Sequence, residues 1–155
     1  MNFDQAFSEL MKHEGGLVDH PNDPGGITKY GISKRAYPTL DIANLTIEHA
    51  AQIYRHDYWG PAGCDSVPDA LRMDLFDMAV NSGVKAAVRC LQRAAGETAD
   101  GVLGPKTLQA IQTIPSSRLI ARFNAERLEF MTHLPTWASF SKGWCRRIAA
   151  NLRLA

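Results

Sequence analysis

Residues 13–37 read HEGGLVDHPNDPGGITKYGISKRAY, and this stretch interrupts a chain whose pattern is otherwise helical. Residues 15–38 contain five glycines and three prolines, with Pro24-Gly25-Gly26 near the centre. Glycine and proline at this density disfavour a helix, so turns and a short hairpin between Ile27 and Ile32 are predicted. A polar, glycine-rich loop that follows a helix is also a frequent location for functional residues.

The segment before this loop is predicted to form an amphipathic helix that runs into Glu14. Its apolar positions, spaced as one helical stripe, are Phe3, Phe7, Leu10 and Met11. Gly15 and Gly16 follow directly and are predicted to end the helix. Glu14 is therefore expected at the junction between the helix and the loop.

Helical patterns continue from the loop to the end of the chain. Thr46 is predicted to cap a helix that reaches about His56. Four further helices are predicted to start near Asp69, Val84, Pro105 and Pro115. A last helix carries the apolar stripe Trp137, Phe140, Trp144, Ile148 and Leu152. The predicted fold class is mainly α, with a small irregular or β-hairpin region near the N-terminus.

Composition and charge exclude several classes of protein. The chain has 155 residues, of which 45% are hydrophobic and 21% are charged, as in a globular protein. No apolar run approaches the ~20 residues that span a bilayer, and no secretory signal peptide is evident. The net charge is +1, but residues 1–117 carry −4 and residues 118–155 carry +5. This basic C-terminal region can face an acidic polymer, although a solvated helix surface is the simpler interpretation.

Three residues of the loop region suggest a chemical reaction. Cleavage of a glycosidic bond requires an acid that protonates the leaving oxygen and a base or nucleophile across the sugar ring. Glu14, beside apolar helix residues, suits the acid, and Asp23 suits the ionised partner because it lies in a polar loop. Thr28 can help Asp23 to hold a water molecule. The spacing alone leaves an ordinary helix end and turn as the alternative for all three.

The same stretch resembles the signature of glycoside hydrolase family 108, whose members are lysozyme-like N-acetylmuramidases of phages and bacteria. Glu14-Gly15-Gly16, Asp23-Pro24-Gly25-Gly26, Thr28 and Tyr30-Gly31-Ile32 stand in the order of that family. FDMAVNSG (residues 76–83) resembles its second characteristic segment. CLQRAAGETADGVLGPKTLQAI (residues 90–111) resembles the peptidoglycan-binding segment that usually follows.

The resemblance implies a lysozyme-like fold and hydrolysis of the β-1,4 bond between N-acetylmuramic acid and N-acetylglucosamine. It implies Glu14 as the general acid, with Asp23 and Thr28 completing the catalytic site. Residues 1–84 are expected to form the catalytic lobe and residues 85–155 a peptidoglycan-binding lobe, with the possibility of one shared core. A phage or prophage endolysin, or a secretion-linked muramidase, fits such a protein. It would be made in the bacterial cytoplasm and act in the periplasm or cell wall.

Six further residues are candidates for substrate binding. Gly25 and Gly26 allow the loop to approach the glycan closely. Tyr30 and Trp59 can stack on sugar rings, and ordinary packing is the alternative for both. Asp77 and Asn81 can line the far wall of a cleft, although Asn81 can equally cap a helix.

Other sites and partners are not indicated. The five histidines and three cysteines form no pattern of metal ligands, so neither a metal nor a cofactor is expected. Peptidoglycan is the expected partner of a monomeric protein, and a holin or a secretion apparatus would deliver the protein to it. No nucleic-acid partner is expected.

Two other functions compete with the muramidase. A lytic transglycosylase would cleave the same bond with one glutamate and leave an anhydro sugar, and the Asp23/Thr28 pair argues against it. A non-catalytic module that binds the cell wall would have lost its site, and the presence of Glu14, Asp23 and Thr28 argues against that.

Overall fold

The structure is a computed structural model that describes residues 1–12 and 27–154. Over these residues it is mainly α, with one two-stranded antiparallel hairpin, which confirms the predicted fold class. The helices are α1 (Phe3–Met11), α2 (Ile47–Tyr54), α3 (Arg72–Ser82), α4 (Val84–Ala95), α5 (Pro105–Gln112), α6 (Ser116–Thr132) and α7 (Trp137–Leu152). The strands are β1 (Thr28–Lys29) and β2 (Ile32–Ser33).

Helix α1 begins with a reciprocal cap. The Asn2 side chain accepts a hydrogen bond from the Gln5 backbone N–H, and the Gln5 side chain accepts one from the Asn2 N–H, both at 2.9 Å. Phe3, Phe7 and Leu10 are buried as their helical spacing predicts. The helix ends at Met11. The predicted stop at Gly15 and Gly16 lies outside the described residues.

The short hairpin forms where the sequence predicts it. Thr28 pairs with Ser33, and Lys29 pairs with Ile32. The turn residues Tyr30 and Gly31 both have positive φ angles, 52° and 77°, as a tight two-residue hairpin turn requires. The positive φ angle costs conformational free energy at Tyr30, because this residue has a Cβ atom. The Tyr54 hydroxyl stabilises the turn by donating a hydrogen bond of 3.0 Å to the Tyr30 carbonyl oxygen.

Thr46 caps α2 as predicted, since its Oγ1 accepts a hydrogen bond of 3.2 Å from the His49 backbone N–H. The α-helix ends at Tyr54 and continues as one π-helical turn, Arg55–Trp59. We expect Thr46→Ala to lower the free energy of unfolding by about 1 kcal/mol, because the helix loses this cap. Urea unfolding measures the change. Thr98→Ala, in an exposed loop, is the matched control and should change stability by less than half as much.

Helix α3 is the centre of the fold. All seven residues from Met73 to Ala79 are buried, and α1, α4, α6 and α7 pack around the helix. The main hydrophobic cluster therefore contains side chains from both sides of residue 84, such as Leu75, Phe76, Leu91 and Phe123. Helix α3 passes into α4 through one residue, Gly83, whose φ angle is 90°.

A second close approach joins the two halves. Gly63 has a φ angle of 69°, and a Cβ atom at this position would lie 2.2 Å from the Leu103 side chain. Only glycine fits both this backbone conformation and the space that Leu103 leaves. The loop before α5 thus rests directly on the turn that follows Arg55–Trp59.

Candidate functional site

The structure places only some of the predicted catalytic and binding residues. Glu14, Asp23, Gly25 and Gly26 lie outside the described residues. Thr28 lies on β1 and is half-buried, and Tyr30 lies in the hairpin turn, also half-buried.

Helix α1 and the hairpin, which lie on either side of residues 13–26 in the sequence, both contact Tyr54. The Phe7 ring of α1 packs on the Tyr54 ring with centroids 5.5 Å apart. The hydroxyl of the same tyrosine donates to the Tyr30 carbonyl of the hairpin. Tyr54 is 2% exposed, so it is a fixed part of the core. The elements on either side of residues 13–26, helix α1 and the hairpin, are therefore joined through Tyr54.

Four charged side chains form a buried charge cluster between α3, α6 and α7: Asp74, Asp77, Arg127 and Arg147. Arg127 donates from Nη2 to one Asp77 oxygen, and Arg147 donates from Nε to the other. Arg127 Nη1 lies 3.9 Å from Asp74 Oδ1. The interpretation of the basic C-terminal region as a solvated face is therefore wrong for Arg127, which is fully buried.

Burial raises the pKa of Asp74 to about 6, and the positive charge of Arg127 opposes that increase. A raised pKa means that the folded state binds this proton more tightly than the unfolded state. The contribution of Asp74 to stability is therefore greatest at low pH and decreases as the pH rises from about 4 to 6.

We expect this effect to appear in a comparison of the protein with Asp74→Asn. Between about pH 4 and pH 7.5, the wild type should lose roughly 2–3 kcal/mol of unfolding free energy relative to the variant. Urea unfolding of both proteins at equal ionic strength measures it. A difference between the two proteins that does not change with pH would contradict the assignment.

Two residues predicted to bind substrate are structural instead. Trp59 is 1% exposed and packs edge-on against Phe3 and Phe76, with ring centroids 5.5 and 5.4 Å apart. It offers no ring face to a sugar. Asp77 was expected on a cleft wall, but it is fully buried because two arginines pair with it.

Asn81 does border an open cavity. Its Nδ2 donates to the Asp77 carbonyl oxygen at 2.7 Å and to Asp77 Oδ1 at 3.2 Å, which fixes the amide one turn beyond the charge cluster. The cavity has a volume of about 360 Å³. Its other lining residues belong to α7: Phe140, Gly143, Trp144, Arg146 and Arg147.

A second cavity, of about 540 Å³, lies along the loop between α4 and α5. Gln92 is 1% exposed and organises this loop from beneath. Its Nε2 donates to Asp100 Oδ1 at 2.7 Å and to the Val102 carbonyl at 3.0 Å, and its Oε1 accepts from the Gly101 N–H at 2.8 Å. One buried amide on α4 therefore makes three hydrogen bonds to the loop between α4 and α5, which lies in the stretch that resembles a peptidoglycan-binding segment.

The part of the chain that the structure describes contains neither a metal-binding cluster nor a membrane-spanning helix. Within residues 1–12 and 27–154, no three side chains of His, Cys, Asp or Glu lie close enough to hold a metal ion. None of the helices in this part of the chain has the length and apolar character needed to cross a bilayer.

Sequence reasoning missed the charge cluster and the α7 side of the first cavity. A signal for the cluster was present, because Asp74 and Asp77 stand one turn apart within the otherwise apolar run of α3. Buried carboxylates are usually paired with an opposite charge, so this spacing indicates that a basic side chain packs against α3. The identity of the arginine partners was hidden by distance along the chain.

Two family models match successive parts of this chain. The family model described as glycosyl hydrolase 108 matches residues 7–83. A second model, described as a predicted peptidoglycan domain, matches residues 86–149. No match was found among curated proteins.

A solved structure, that of Brucella abortus SagA, is similar along nearly the whole chain. The sequence identity is 35%, the TM-score is 0.87, and the alignment covers 98% of this chain and 92% of SagA. These comparisons confirm the resemblance and the mainly α, lysozyme-like fold. The chain belongs to the glycosyl hydrolase 108 family and, with its peptidoglycan-binding segment, is a glycoside hydrolase of peptidoglycan.

Proposed function

We propose that this protein is an N-acetylmuramidase, which hydrolyses the β-1,4 bond between N-acetylmuramic acid and N-acetylglucosamine. The observation that carries the proposal is the family match over residues 7–83, a range that contains Glu14, Asp23 and Thr28 in the order of the motif. The bond needs an acid on one side and an activated water on the other, and these residues supply both.

In the proposed mechanism Glu14 donates its proton to the leaving glycosidic oxygen. Phe7 and Leu10 are buried on the helix that precedes Glu14. Apolar neighbours favour the protonated form of a carboxylic acid, which is the form that an acid catalyst needs. Asp23, assisted by Thr28, removes a proton from the attacking water.

Separate carboxylates with a water between them would invert the anomeric configuration. We propose inversion for this reason, and it requires the Glu14 and Asp23 carboxyl groups to lie ~6.5–9.5 Å apart. Proton NMR of freshly released products tests the proposal, since inversion yields the α-anomer first. Initial release of the β-anomer would instead indicate a covalent intermediate.

The C-terminal segment would hold the glycan strand during the reaction. Support comes from the family match over residues 86–149 and from the loop that Gln92 organises beside its cavity. We propose that the protein acts as a phage or prophage endolysin or as a secretion-linked muramidase. In both cases a holin or a secretion apparatus would bring it from the cytoplasm to the periplasm or cell wall.

Mass spectrometry of the soluble products from purified peptidoglycan tests the proposed reaction. Fragments with reducing N-acetylmuramic acid ends are expected. Anhydro-muramic acid ends would reassign the protein as a lytic transglycosylase, and reducing N-acetylglucosamine ends would place the cleavage at the other glycosidic bond. Binding to the peptidoglycan without any product would identify a non-catalytic binding module.

A further inference from the structure

Helix α7 carries an aromatic ledge that consists of Trp137, Phe140 and Trp144. The Phe140 and Trp144 rings lie 5.9 Å apart with an angle of 30° between their planes, and Trp137 lies 6.1 Å from Trp144. Phe140 is 55% exposed, and both tryptophans are only half-buried. The apolar stripe predicted for this helix is therefore exposed or only half-buried in this half of α7.

Phe140 and Trp144 of the ledge line the 360 Å³ cavity, and Asn81 of α3 lines it as well. Gly143 lies between Phe140 and Trp144 in the sequence and also lines the cavity. A Cβ atom on Gly143 would meet nothing within 4 Å, so the space in front of the helix is open. The Asn81 amide nitrogen is occupied by Asp77, whereas its carbonyl oxygen accepts no hydrogen bond from the described part of the chain.

Two arginines contribute to the lining of this cavity. Arg146 and Arg147 both line it. Arg147 pairs with Asp77 in the charge cluster, whereas Arg146 is exposed and has no ion-pair partner among the described residues. The surface thus combines flat apolar rings, an amide acceptor and an exposed guanidinium group within one cavity.

We propose that this cavity is a subsite for one sugar of the peptidoglycan strand, at which a pyranose ring stacks on Phe140 and Trp144. The aromatic rings match the apolar face of a pyranose. The Asn81 carbonyl accepts a hydrogen bond from a hydroxyl or acetamido N–H of the sugar. Arg146 pairs with a carboxylate of the strand, for which its planar fork of donors is well suited. The inference rests on the proposed function, because it takes the same glycan as the ligand.

The decisive variant is Gly143→Leu, which fills the cavity without removing a contact. Leucine favours a helix more than glycine does, so the thermal unfolding temperature should not fall. In the Glu14→Gln background, calorimetric titration measures binding of muropeptide oligomers. We expect Gly143→Leu and Phe140→Ala each to weaken binding at least ten-fold. The matched controls are Leu152→Ala, an exposed apolar residue of the same helix, and Arg118→Ala, an exposed arginine of α6.

Three ligands distinguish whether Arg146 pairs with the lactyl carboxylate of the glycan or with a carboxylate of the peptide. These are a neutral chitin tetrasaccharide, peptide-free glycan strands with free lactyl groups, and intact muropeptides. Arg146→Ala should not change binding of the neutral ligand and should weaken binding of at least one acidic ligand about ten-fold. The acidic ligand that responds identifies the carboxylate as lactyl or peptide in origin.

The outcomes separate this subsite from the proposed reaction. If the unmodified protein yields no muramidase products but Gly143→Leu still weakens glycan binding, the subsite stands and the proposed function fails. If Gly143→Leu and Phe140→Ala bind all three ligands as tightly as their parent, the subsite is overturned while the reaction can stand. Failure of the parent to bind any of the ligands also overturns the subsite.

Discussion

Glu14→Gln is expected to lower the rate of peptidoglycan hydrolysis by about 10²–10⁴-fold, the usual contribution of a general acid. Glutamine retains the shape and polarity of the side chain, but it has no proton of suitable acidity for the leaving oxygen. Binding of the glycan should persist, because the substitution changes neither the aromatic ledge nor the loop between α4 and α5. The initial rate at which soluble reducing ends appear measures the effect.

Glu9→Gln provides the matched control because it makes the same chemical change on α1, where Glu9 is partly exposed and pairs with the surface residue Lys12 at 2.7 Å. A surface pair of this kind contributes little, so the control should hydrolyse peptidoglycan within about two-fold of the wild type. Equal rates for Glu14→Gln and Glu9→Gln would show that the proton comes from another residue. Asp23→Asn should reduce the rate as well, since it removes the base that activates water.

Arg127→Met is expected to lower the free energy of unfolding by about 3–5 kcal/mol, because it removes the guanidinium group beside Asp74 and leaves Asp77 with Arg147 alone. Asp74 and Asp77 are 1% and 0% exposed, so water cannot replace the guanidinium group. Methionine fills similar space, which separates the loss of charge from the loss of packing. Urea denaturation at neutral pH measures the change.

The control for this stability prediction is Arg118→Met, an exposed arginine of the same helix, which should change stability by less than about 0.5 kcal/mol. A typical domain has only about 5–15 kcal/mol of stability, so Arg127→Met will leave a marginal protein. Arg127→Lys restores a charge and should recover part of the loss. Equal stability of the Arg127→Met and Arg118→Met variants would contradict the role of the cluster.

Most helices were predictable because their boundaries depend on local chemistry. Thr46 caps α2, Pro105 begins α5, and Gly96 ends α4 with a φ angle of 78°. Each of these signals acts within one turn of the chain, so the sequence around it is sufficient.

The inward face of α7 was less predictable, because an apolar stripe shows which residues share a face but not how far the neighbouring helices extend. Of the five apolar residues in the stripe, only Ile148 is buried. The three aromatic residues in the first half of the helix are half-buried or exposed, and they form the ledge. Trp59 shows the opposite case, since it was a candidate for stacking on a sugar ring and is a core residue instead.

The candidate site was predictable only in part for the same reason. The predicted catalytic residues Glu14, Asp23 and Thr28 stand within 15 positions of one another, so the motif that contains them is recognisable from the sequence alone. The partners of Asp77 are 50 and 70 residues away along the chain, and no local pattern connects them. Long-range electrostatic pairing is decided by the packing of α6 and α7, which only the fold supplies.

The charge cluster also limits how this protein can be recombined with its relatives. Asp74 and Asp77 belong to the stretch that matches the hydrolase family, whereas Arg127 and Arg147 belong to the stretch that matches the peptidoglycan domain. A chimera that exchanged residues 86–149 for a foreign wall-binding segment would leave two carboxylates in the interior without their arginines. It would also remove Leu103 from its place against Gly63. The unit that can be transplanted is therefore the whole chain, and grafts that alter its wall specificity should be confined to exposed positions such as Phe140 and Arg146.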